Sequence, residues 1–267
     1  MLATLVDRSA GESAPLGAEL ARRYGGDLRF PARRPWVYAN FVQSIDGVVS
    51  LATPGKAQAS VISARNPDDR FLLALLRVPA NAVVVGAGTL REEPKSVWTP
   101  EQPFPELRAE LAAARLAMKL PAIPLTVLVT RSGDLDLSLP VFTAGNRVLV
   151  LTTKEGAARI GTRPAQVDVR VMAAGTPREI VDLAAAESGG GLILTEGGPT
   201  LFGDFVRERV VDELFLTIAP RFAGRDDDHR RLAVVEKAAF APEDLREAKL
   251  VSLKTAGDYI FTRFARR

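Results

Sequence analysis

Short apolar segments that alternate with helix signals constrain the fold of this chain more than any other feature of its sequence. Four such segments are Ala82–Val85, Leu125–Thr130, Arg147–Thr152 and Leu192–Thr195. Each has about the length of a strand, and segments this apolar are typical of parallel strands that are buried on both faces. The alternation predicts an α/β fold in which helices flank a mainly parallel central sheet.

Two helix starts between these segments are well defined. Asn66 suits the N-cap and Pro67 the first helical position. Asp68 and Asp69 follow in the first turn, where the positive end of the helix dipole favours carboxylates. A second helix opens at Thr176–Glu179, which has the spacing of a capping box. These helices supply the crossovers that parallel strands need.

The C-terminal part of the chain has a different pattern. Glu213–Ala219, Lys249–Thr255 and Tyr259–Phe264 have strand-like sequences, and no clear helix separates the last two. Ala256–Asp258 suits the hairpin turn between them. We therefore expect antiparallel strands at the C-terminal edge of the sheet.

The first 35 residues look like an appendage to this fold. Leu16, Leu20 and Tyr24 have helical spacing, and the Pro- and Arg-rich segment Pro31–Pro35 follows. The regular strand pattern begins only at Trp36. The sequence thus predicts an N-terminal extension, residues 1–35, and one domain, residues 36–267.

Composition excludes several classes of protein. The chain has no cysteine and one histidine, His229, so disulfide scaffolds, thiol nucleophiles and Cys- or His-rich metal sites are not expected. The lack of cysteine fits a cytoplasmic protein. The net charge is only +3, and no basic run is interleaved with aromatic residues, so we expect no nucleic-acid partner. No apolar stretch approaches the ~20 residues of a membrane span, so we expect no membrane partner.

Two glycine-containing segments follow predicted strands. Gly86–Arg91 lies directly after one strand, and Thr195–Leu201 leads from another into a helix. Glycines let the backbone approach a phosphate, and the free N–H groups near Gly198–Leu201 would hold a diphosphate at a helix N-terminus. Each segment also suits a simple strand-to-helix turn, so both interpretations stay open.

Polar residues at other strand ends extend this candidate site. Asp46 precedes a glycine after the first strand of the domain and is either a turn former or an acid/base group at the mouth of a cleft. Thr130, Arg131, Ser132 and Thr152 end two further strands. They suit the 2′-phosphate of NADP, although solvated loop residues explain them equally well.

Taken together, five segments resemble one family. The sequence is similar to the pyrimidine reductase domain of riboflavin biosynthesis, which is the reductase half of bifunctional deaminase-reductases and has a dihydrofolate-reductase-like fold. The resemblance covers about Trp36 to Phe264, as in a stand-alone member. The segments that carry it are Asn40–Gly47, Asp68–Arg70 with Leu75–Arg77, Val84–Arg91, Leu194–Leu201 and Val211–Pro220.

The resemblance implies an NADPH-dependent oxidoreductase, typically a homodimer. Its substrate would be the phosphorylated pyrimidine 5-amino-6-(5-phosphoribosylamino)uracil. Its ribosyl group would become a ribityl chain when the nicotinamide hydride reaches C1′. No covalent intermediate is required, which agrees with a sequence that lacks strong nucleophiles.

The family pattern also assigns roles to individual residues. Asp46 and Glu196 are the expected catalytic residues, and Asn40, Ser44 and Ser63 are expected on the substrate side. The positions expected around NADPH are Gly86, Thr89, Gly197, Gly198, Pro199, Thr200 and Leu201.

One segment departs from the family pattern. Pathway reductases continue after the first glycine loop to Leu-Thr-x-Arg, whose arginine helps to hold the ribose phosphate, whereas this chain has Arg91–Trp98. Arg91 and Lys95 are then the candidates for binding the phosphate. Two alternatives stay open: a reductase of another heterocycle such as dihydrofolate or a pterin, and a non-catalytic NADPH-binding protein.

Overall fold

The computed structural model of the chain describes residues 1–53 and 58–267, without the side chain of Gln58. Strands and helices alternate through most of it. The strands are β1 Ala3–Asp7, β2 Glu12–Ser13, β3 Arg29–Phe30, β4 Trp36–Gln43, β5 Ala82–Gly86, β6 Leu125–Val129, β7 Val148–Thr152, β8 Val167–Val171, β9 Leu192–Thr195, β10 Glu213–Ile218, β11 Ala248–Ala256 and β12 Tyr259–Arg266. The α-helices are α1 Ala18–Tyr24, α2 Gln58–Ile62, α3 Pro67–Arg77, α4 Ala87–Glu92, α5 Arg108–Ala117, α6 Pro140–Thr143, α7 Lys154–Ile160, α8 Pro177–Ser188 and α9 Pro199–Arg207.

Among the described residues, ten strands form one sheet in the order β1-β11-β12-β10-β4-β9-β5-β6-β7-β8. The strands from β10 to β8 are parallel to their neighbours, whereas β12, β11 and β1 are added antiparallel at one edge. Gly257 and Asp258 form the turn between β11 and β12. The predicted fold class, with its mainly parallel sheet and antiparallel C-terminal edge strands, is confirmed.

Helices cover both faces of the parallel strands, and side chains alternate between two cores. Tyr38 and Phe215 pack with α3 on one face, and Val37 and Phe205 pack on the other. Successive strand residues point to opposite faces, so Val37 and Tyr38 on β4 belong to different cores. The apolar strands that the sequence shows are therefore apolar because both of their faces are buried.

The helix starts are built as the sequence predicts. The Asn66 side chain accepts hydrogen bonds from the amides of Asp68 (2.9 Å) and Asp69 (3.0 Å) at the start of α3. The Thr176 hydroxyl accepts the amide of Glu179 (3.2 Å) at the start of α8. The Glu179 carboxylate also accepts the amides of residues 173–175, which lie just before the helix.

Residues 1–35 pack into the same core as the sheet. Strand β1 pairs antiparallel with β11 and forms the edge of the sheet. Leu20, Tyr24 and Leu28 are buried in the cluster that also contains Tyr38. The short helix α1 is stabilised by this packing, because seven residues are too few for an independent helix in water. The boundary that the sequence suggests at residue 35 thus coincides with no break in the packing.

Within the described part of the chain, no helix combines the length and the apolar character that a membrane span requires.

Candidate active site

The glycine loops that follow β5 and β9 touch each other. The two strands are neighbours, with Val84 paired to Thr195, so both loops leave the sheet at the same edge. A Cβ atom at Gly197 would lie 2.8 Å from the Gly86 nitrogen and 2.8 Å from the Val85 Cα. Only glycine allows this close approach of two backbones.

Thr89 joins the two loops through a hydrogen bond. Its hydroxyl accepts the amide of Gly198 at 2.8 Å, and the amide of Gly197 donates to the Thr195 hydroxyl at 3.3 Å. The sequence predicts that the amides near Gly198–Leu201 are free to bind a diphosphate. The structure differs at Gly198, because Thr89 on the neighbouring loop lies close enough to accept that N–H.

The surface beside these loops has room for a ligand. A Cβ atom at Gly88 would meet no described atom within 4 Å, and at Gly86 the nearest atom would be Leu201 Cδ2 at 3.9 Å. Helices α4 and α9 both begin here, and their first-turn N–H groups and dipoles favour an anion. Open space, a backbone without side chains and amide donors together fit the phosphates of a nicotinamide dinucleotide.

Glu196 is fixed by a buried ion pair with Arg77 at the end of α3. Arg77 Nε donates to one carboxylate oxygen at 2.8 Å and Nη2 to the other at 2.7 Å, with the two side chains only 4% and 9% exposed. Arg77 Nη1 also donates to the Thr99 carbonyl at 3.0 Å. This two-point contact holds the Glu196 carboxylate in one orientation.

Glu93 is a second carboxyl near this pair. Burial raises its pKa; a hydrogen bond from Ser96 (3.0 Å) opposes that rise, and the nearby Glu196 carboxylate adds to it. Glu93 is not among the site residues that the sequence predicts. The available signal is the acidic pair Glu92 and Glu93, which follows Arg91 in the segment that departs from the family pattern.

Asn40 lies beside Glu196 on the adjacent strand. Ala39 pairs with Thr195, which places the following residues of β4 and β9 next to each other. The Asn40 side-chain oxygen is buried and has no hydrogen-bond partner among the described residues. Because a buried polar atom normally has a partner, Asn40 is a candidate for contact with a ligand.

Asp46 anchors a loop. Its carboxylate accepts hydrogen bonds from the Ser44 hydroxyl (2.6 Å) and from the amides of Ala223 (3.0 Å) and Gly224 (2.8 Å). These contacts, led by the Ser44 hydrogen bond, lower the pKa of the exposed Asp46 carboxyl to about 2. Its turn-forming role is thus visible, and a catalytic role stays a prediction.

Ser63 is buried between α2 and α3, beside the carboxyl of Asp69. Its carbonyl accepts the Tyr259 hydroxyl at 2.9 Å. Burial raises the pKa of Asp69 to about 6, although the neighbouring hydroxyls of Thr217 and Ser63 oppose the rise. The sequence predicts Asp69 only as a first-turn residue of a helix, because the capping pattern does not indicate which strand residues the helix contacts.

The residues expected to bind the phosphates fall into two groups. Arg91, Lys95, Arg131 and Ser132 are exposed, and within the described ranges neither Arg91 nor Lys95 forms an ion pair. Thr130 is buried and accepts the Gly133 amide at 3.2 Å. Thr152 is fully buried under α7, where a Cβ at Gly156 would be 2.0 Å from its hydroxyl. The structure therefore brings Arg131 and Ser132, but not Thr152, to the surface near Gly86.

Comparisons with known proteins agree on one kind of enzyme. The family described as the RibD C-terminal domain matches residues 35–258. The 2,5-diamino-6-ribosylamino-4(3H)-pyrimidinone 5′-phosphate reductase of Archaeoglobus fulgidus is 26% identical over 203 residues, which are 73% of this chain and 84% of that protein.

Two solved structures have the same fold. A pyrimidine reductase-like protein from Corynebacterium diphtheriae has a TM-score of 0.67 at 22% identity, over 87% of this chain and 92% of that one. A deaminase/5-amino-6-(5-phosphoribosylamino)uracil reductase from Thermotoga maritima has a TM-score of 0.65 at 20% identity, over 88% of this chain and 57% of that longer one. These likenesses show that the chain shares the fold of these two proteins, in agreement with the predicted α/β architecture.

Proposed function

This chain belongs to the RibD C-terminal domain family and is an oxidoreductase of riboflavin biosynthesis, and from this premise we propose that NADPH is its reductant. The substrate is a phosphorylated 6-ribosylaminopyrimidine, whose ring is either the 5-amino uracil or the 2,5-diamino-4(3H)-pyrimidinone. Its ribosyl group is reduced to ribityl. The observation that carries the proposal is the contact of two glycine loops beside the Glu196 carboxylate that Arg77 orients.

The cofactor would lie along the edge where β5, β9 and β6 end. When bound, NADPH supplies the hydride that reduces C1′ of the substrate. The exposed Arg131 and Ser132 would bind the 2′-phosphate, and Thr130 and Thr152 would support their loops from below. The residues proposed to line the rest of the cofactor are Gly86, Thr89, Gly197, Gly198, Pro199, Thr200 and Leu201.

The substrate would lie at the ends of β4 and β9. Asn40 has the free buried acceptor there, and Ser44 and Ser63 are buried at the same edge. Arg91 and Lys95, both exposed, would bind the ribose phosphate. A bound phosphate at this end would be attracted by these two exposed cations.

Glu196 and Asp46 have different proposed roles. The carboxylate of Glu196, oriented by Arg77, would contact substrate and cofactor where C1′ is reduced. Asp46 would act as a positioning residue, since its oxygens hold the amides of Ala223 and Gly224 at the mouth of the cleft. Orientation of the reactants can contribute most of the rate in a reaction that needs no covalent intermediate.

The test is oxidation of NADPH by the purified protein. We expect loss of NADPH absorbance with either ribosylaminopyrimidine phosphate and formation of the ribityl product, and no comparable rate with dihydrofolate. Binding of NADPH without turnover of either pyrimidine would support a non-catalytic NADPH-binding protein instead. Turnover of dihydrofolate alone would support a reductase of another heterocycle.

A variant with an altered glycine loop tests whether the NADPH oxidation comes from this protein and not from a contaminating reductase. A Cβ at Gly198 would lie 3.2 Å from the Thr89 hydroxyl, so Gly198→Val should displace the joined loops and raise the KM for NADPH roughly tenfold or more. If Gly198→Val kept the wild-type KM for NADPH, the two loops would not be part of the cofactor site.

We also propose a homodimer that acts in the cytoplasm. A cavity of about 730 Å³ has apolar residues of β10, β12 and α9 on one side, among them Leu214, Leu216 and Phe264, and charged residues such as Glu243 and Arg246 around them. It lies on the sheet face beside the antiparallel edge, where a second copy would cover apolar surface. Absence of cysteine from the sequence supports the reducing compartment.

A further inference from the structure

Arg115 places a guanidinium group inside the protein, at the C-terminal end of α3. It lies in the last turn of α5 and is only 1% exposed. Its Nη1 donates to the carbonyls of Arg77 (3.1 Å), Val78 (2.7 Å) and Ala80 (2.9 Å), and its Nε donates to the carbonyl of Pro121 (2.7 Å). The roles proposed above for the site residues do not include this group.

The guanidinium group of Arg115 is bound by backbone carbonyls and not by an acid. Within the parts of the chain that the structure describes, no carboxylate forms an ion pair with it. The last carbonyls of a helix have no partner within the helix, and the negative end of the helix dipole favours a cation. Arg115 therefore supplies the donors that the buried end of α3 requires.

One of these carbonyls belongs to the residue that orients Glu196. The backbone of Arg77 accepts a hydrogen bond from Arg115, while the Arg77 side chain donates to both carboxylate oxygens of Glu196 at 2.8 and 2.7 Å. Arg77 is the last residue of α3, and helix ends fray more readily than helix interiors. Arg115 thus fixes the stretch of backbone from which the Arg77 side chain reaches Glu196.

The end of α3 is held from two sides. From the sheet, the Tyr38 hydroxyl donates to the Leu76 carbonyl at 2.6 Å, and from α5, Arg115 donates to the carbonyls that follow. Groups at a reacting centre have to be held within about 0.5 Å, and a displacement of about 1 Å can lower a rate roughly a hundredfold. A shift of the Arg77 backbone would be passed on to the carboxylate of Glu196.

We infer that Arg115 is a positioning residue for the proposed reduction: through the backbone of Arg77, it determines where the Glu196 carboxylate lies and which way it points. This inference rests on the proposed function and adds a residue outside the site that contacts neither substrate nor cofactor. A lysine in its place would keep the charge but lose the planar fork that reaches carbonyls of two chain segments.

The experiment compares Arg115→Lys with a matched control, Arg263→Lys. Arg263 is also buried (2% exposed), and it donates to the Arg29 carbonyl (2.7 Å) and to Glu213 (2.6 Å). Glu213 is the first residue of β10, so this contact lies away from the edge that carries the glycine loops. Both variants should unfold at lower urea concentration than wild type. Only Arg115→Lys should lower kcat for NADPH oxidation by roughly tenfold or more, with the KM for NADPH within about threefold of wild type.

A double-mutant cycle with Glu196→Gln distinguishes positioning from a general loss of structure. In the Glu196→Gln background, Arg115→Lys should lower kcat by less than about twofold, because the carboxylate that Arg77 holds at two points is gone. A general loss of structure would lower kcat by the same factor in both backgrounds. Single-turnover formation of the ribityl product with enzyme in excess keeps the slow variants measurable.

Three results would overturn the inference while leaving the proposed function intact: wild-type kcat in Arg115→Lys, an equal loss in both backgrounds, or a Glu196→Gln variant as active as wild type. Lack of turnover by the wild type would remove the proposed function and this inference with it. If Arg115→Lys does not fold, Arg115→Gln takes its place with the same expectations, because it keeps N–H donors without a buried charge. Unfolding of both variants beside a folded Arg263→Lys would also overturn the inference, since Arg115 would then stabilise the fold as a whole.

Discussion

Asp46 and Asp69 lie near the same edge of the sheet, but their surroundings give them opposite acid strengths. A hydroxyl and two amides stabilise the charged form of Asp46, and its pKa falls to about 2. Burial destabilises the charged form of Asp69 in the first turn of α3, and its pKa rises to about 6. Near neutral pH both groups are mostly ionised. The oxygens of Asp46 already accept three hydrogen bonds from the protein.

Asp69 should make the free energy of unfolding depend on pH. Its folded-state pKa of about 6 exceeds the ordinary value of 3.8, so the protonated form favours folding and stability falls as pH rises from about 4 to about 6. Asp69→Asn removes this loss and should exceed wild type by roughly 1–3 kcal/mol at neutral pH, with the difference shrinking toward pH ~4. Urea unfolding of both proteins across this range measures it. A difference that stays constant with pH would contradict the assignment.

At the scale of elements, the site depends on how two strand-to-helix connections meet. The loop before α4 and the loop before α9 are far apart in sequence, and adjacent strands bring them into backbone contact. Thr89 then ties the start of α9 to α4. The N-termini of α4 and α9 therefore lie next to each other. One diphosphate could receive hydrogen bonds from both.

Two glycine substitutions test this contact. Gly197→Ala forces a Cβ to within 2.8 Å of the β5 backbone, and we expect a loss of roughly 1–3 kcal/mol in unfolding free energy because backbone cannot move aside cheaply. Gly88→Ala is the matched control, since its Cβ enters open space within a helix. It should be neutral or stabilising by up to about 1 kcal/mol. Equal effects in urea titrations would mean that the loops do not touch.

At the scale of the whole molecule, the first 35 residues complete the sheet and the core. Strand β1 covers the outer edge of β11, and the side chains of α1 fill the core beneath Tyr38. Arg33 forms an ion pair with the buried carboxylate of Asp212. The chain begins and ends in the same antiparallel edge, so residues 1–35 and the C-terminal strands stabilise each other.

A pair of leucine substitutions distinguishes an integral segment from an appendage. Leu20 is 1% exposed and Leu5 is 62% exposed, although both lie in the first 35 residues. Leu20→Ala should destabilise the entire protein by about 2–5 kcal/mol because it leaves a cavity in the shared core. Leu5→Ala should change stability by less than about 0.5 kcal/mol. If Leu20→Ala left the unfolding midpoint of the sheet unchanged, residues 1–35 would be a separate unit.

Much of the fold is readable from local patterns. The Asn66 and Thr176 caps, the buried strands and the C-terminal hairpin each depend on neighbours in sequence, and all are present in the structure. The role of residues 1–35 was not readable, because a single short amphipathic helix does not show what it packs against. The site was readable as a set of strand ends, since parallel strands place their carboxyl ends at one edge.

The sequence by itself determined the order of strands and helices, the family and the glycine loops at the strand ends, because hydrophobic period, capping and backbone freedom are properties of short segments. Only the tertiary structure decided which polar groups are already satisfied. It paired Arg77 with Glu196, placed the amides of a distant loop on the oxygens of Asp46, and buried the Asp69 carboxyl in the first turn of α3. Those outcomes depend on burial and on contacts across more than a hundred residues of chain, and chemical specificity depends on them.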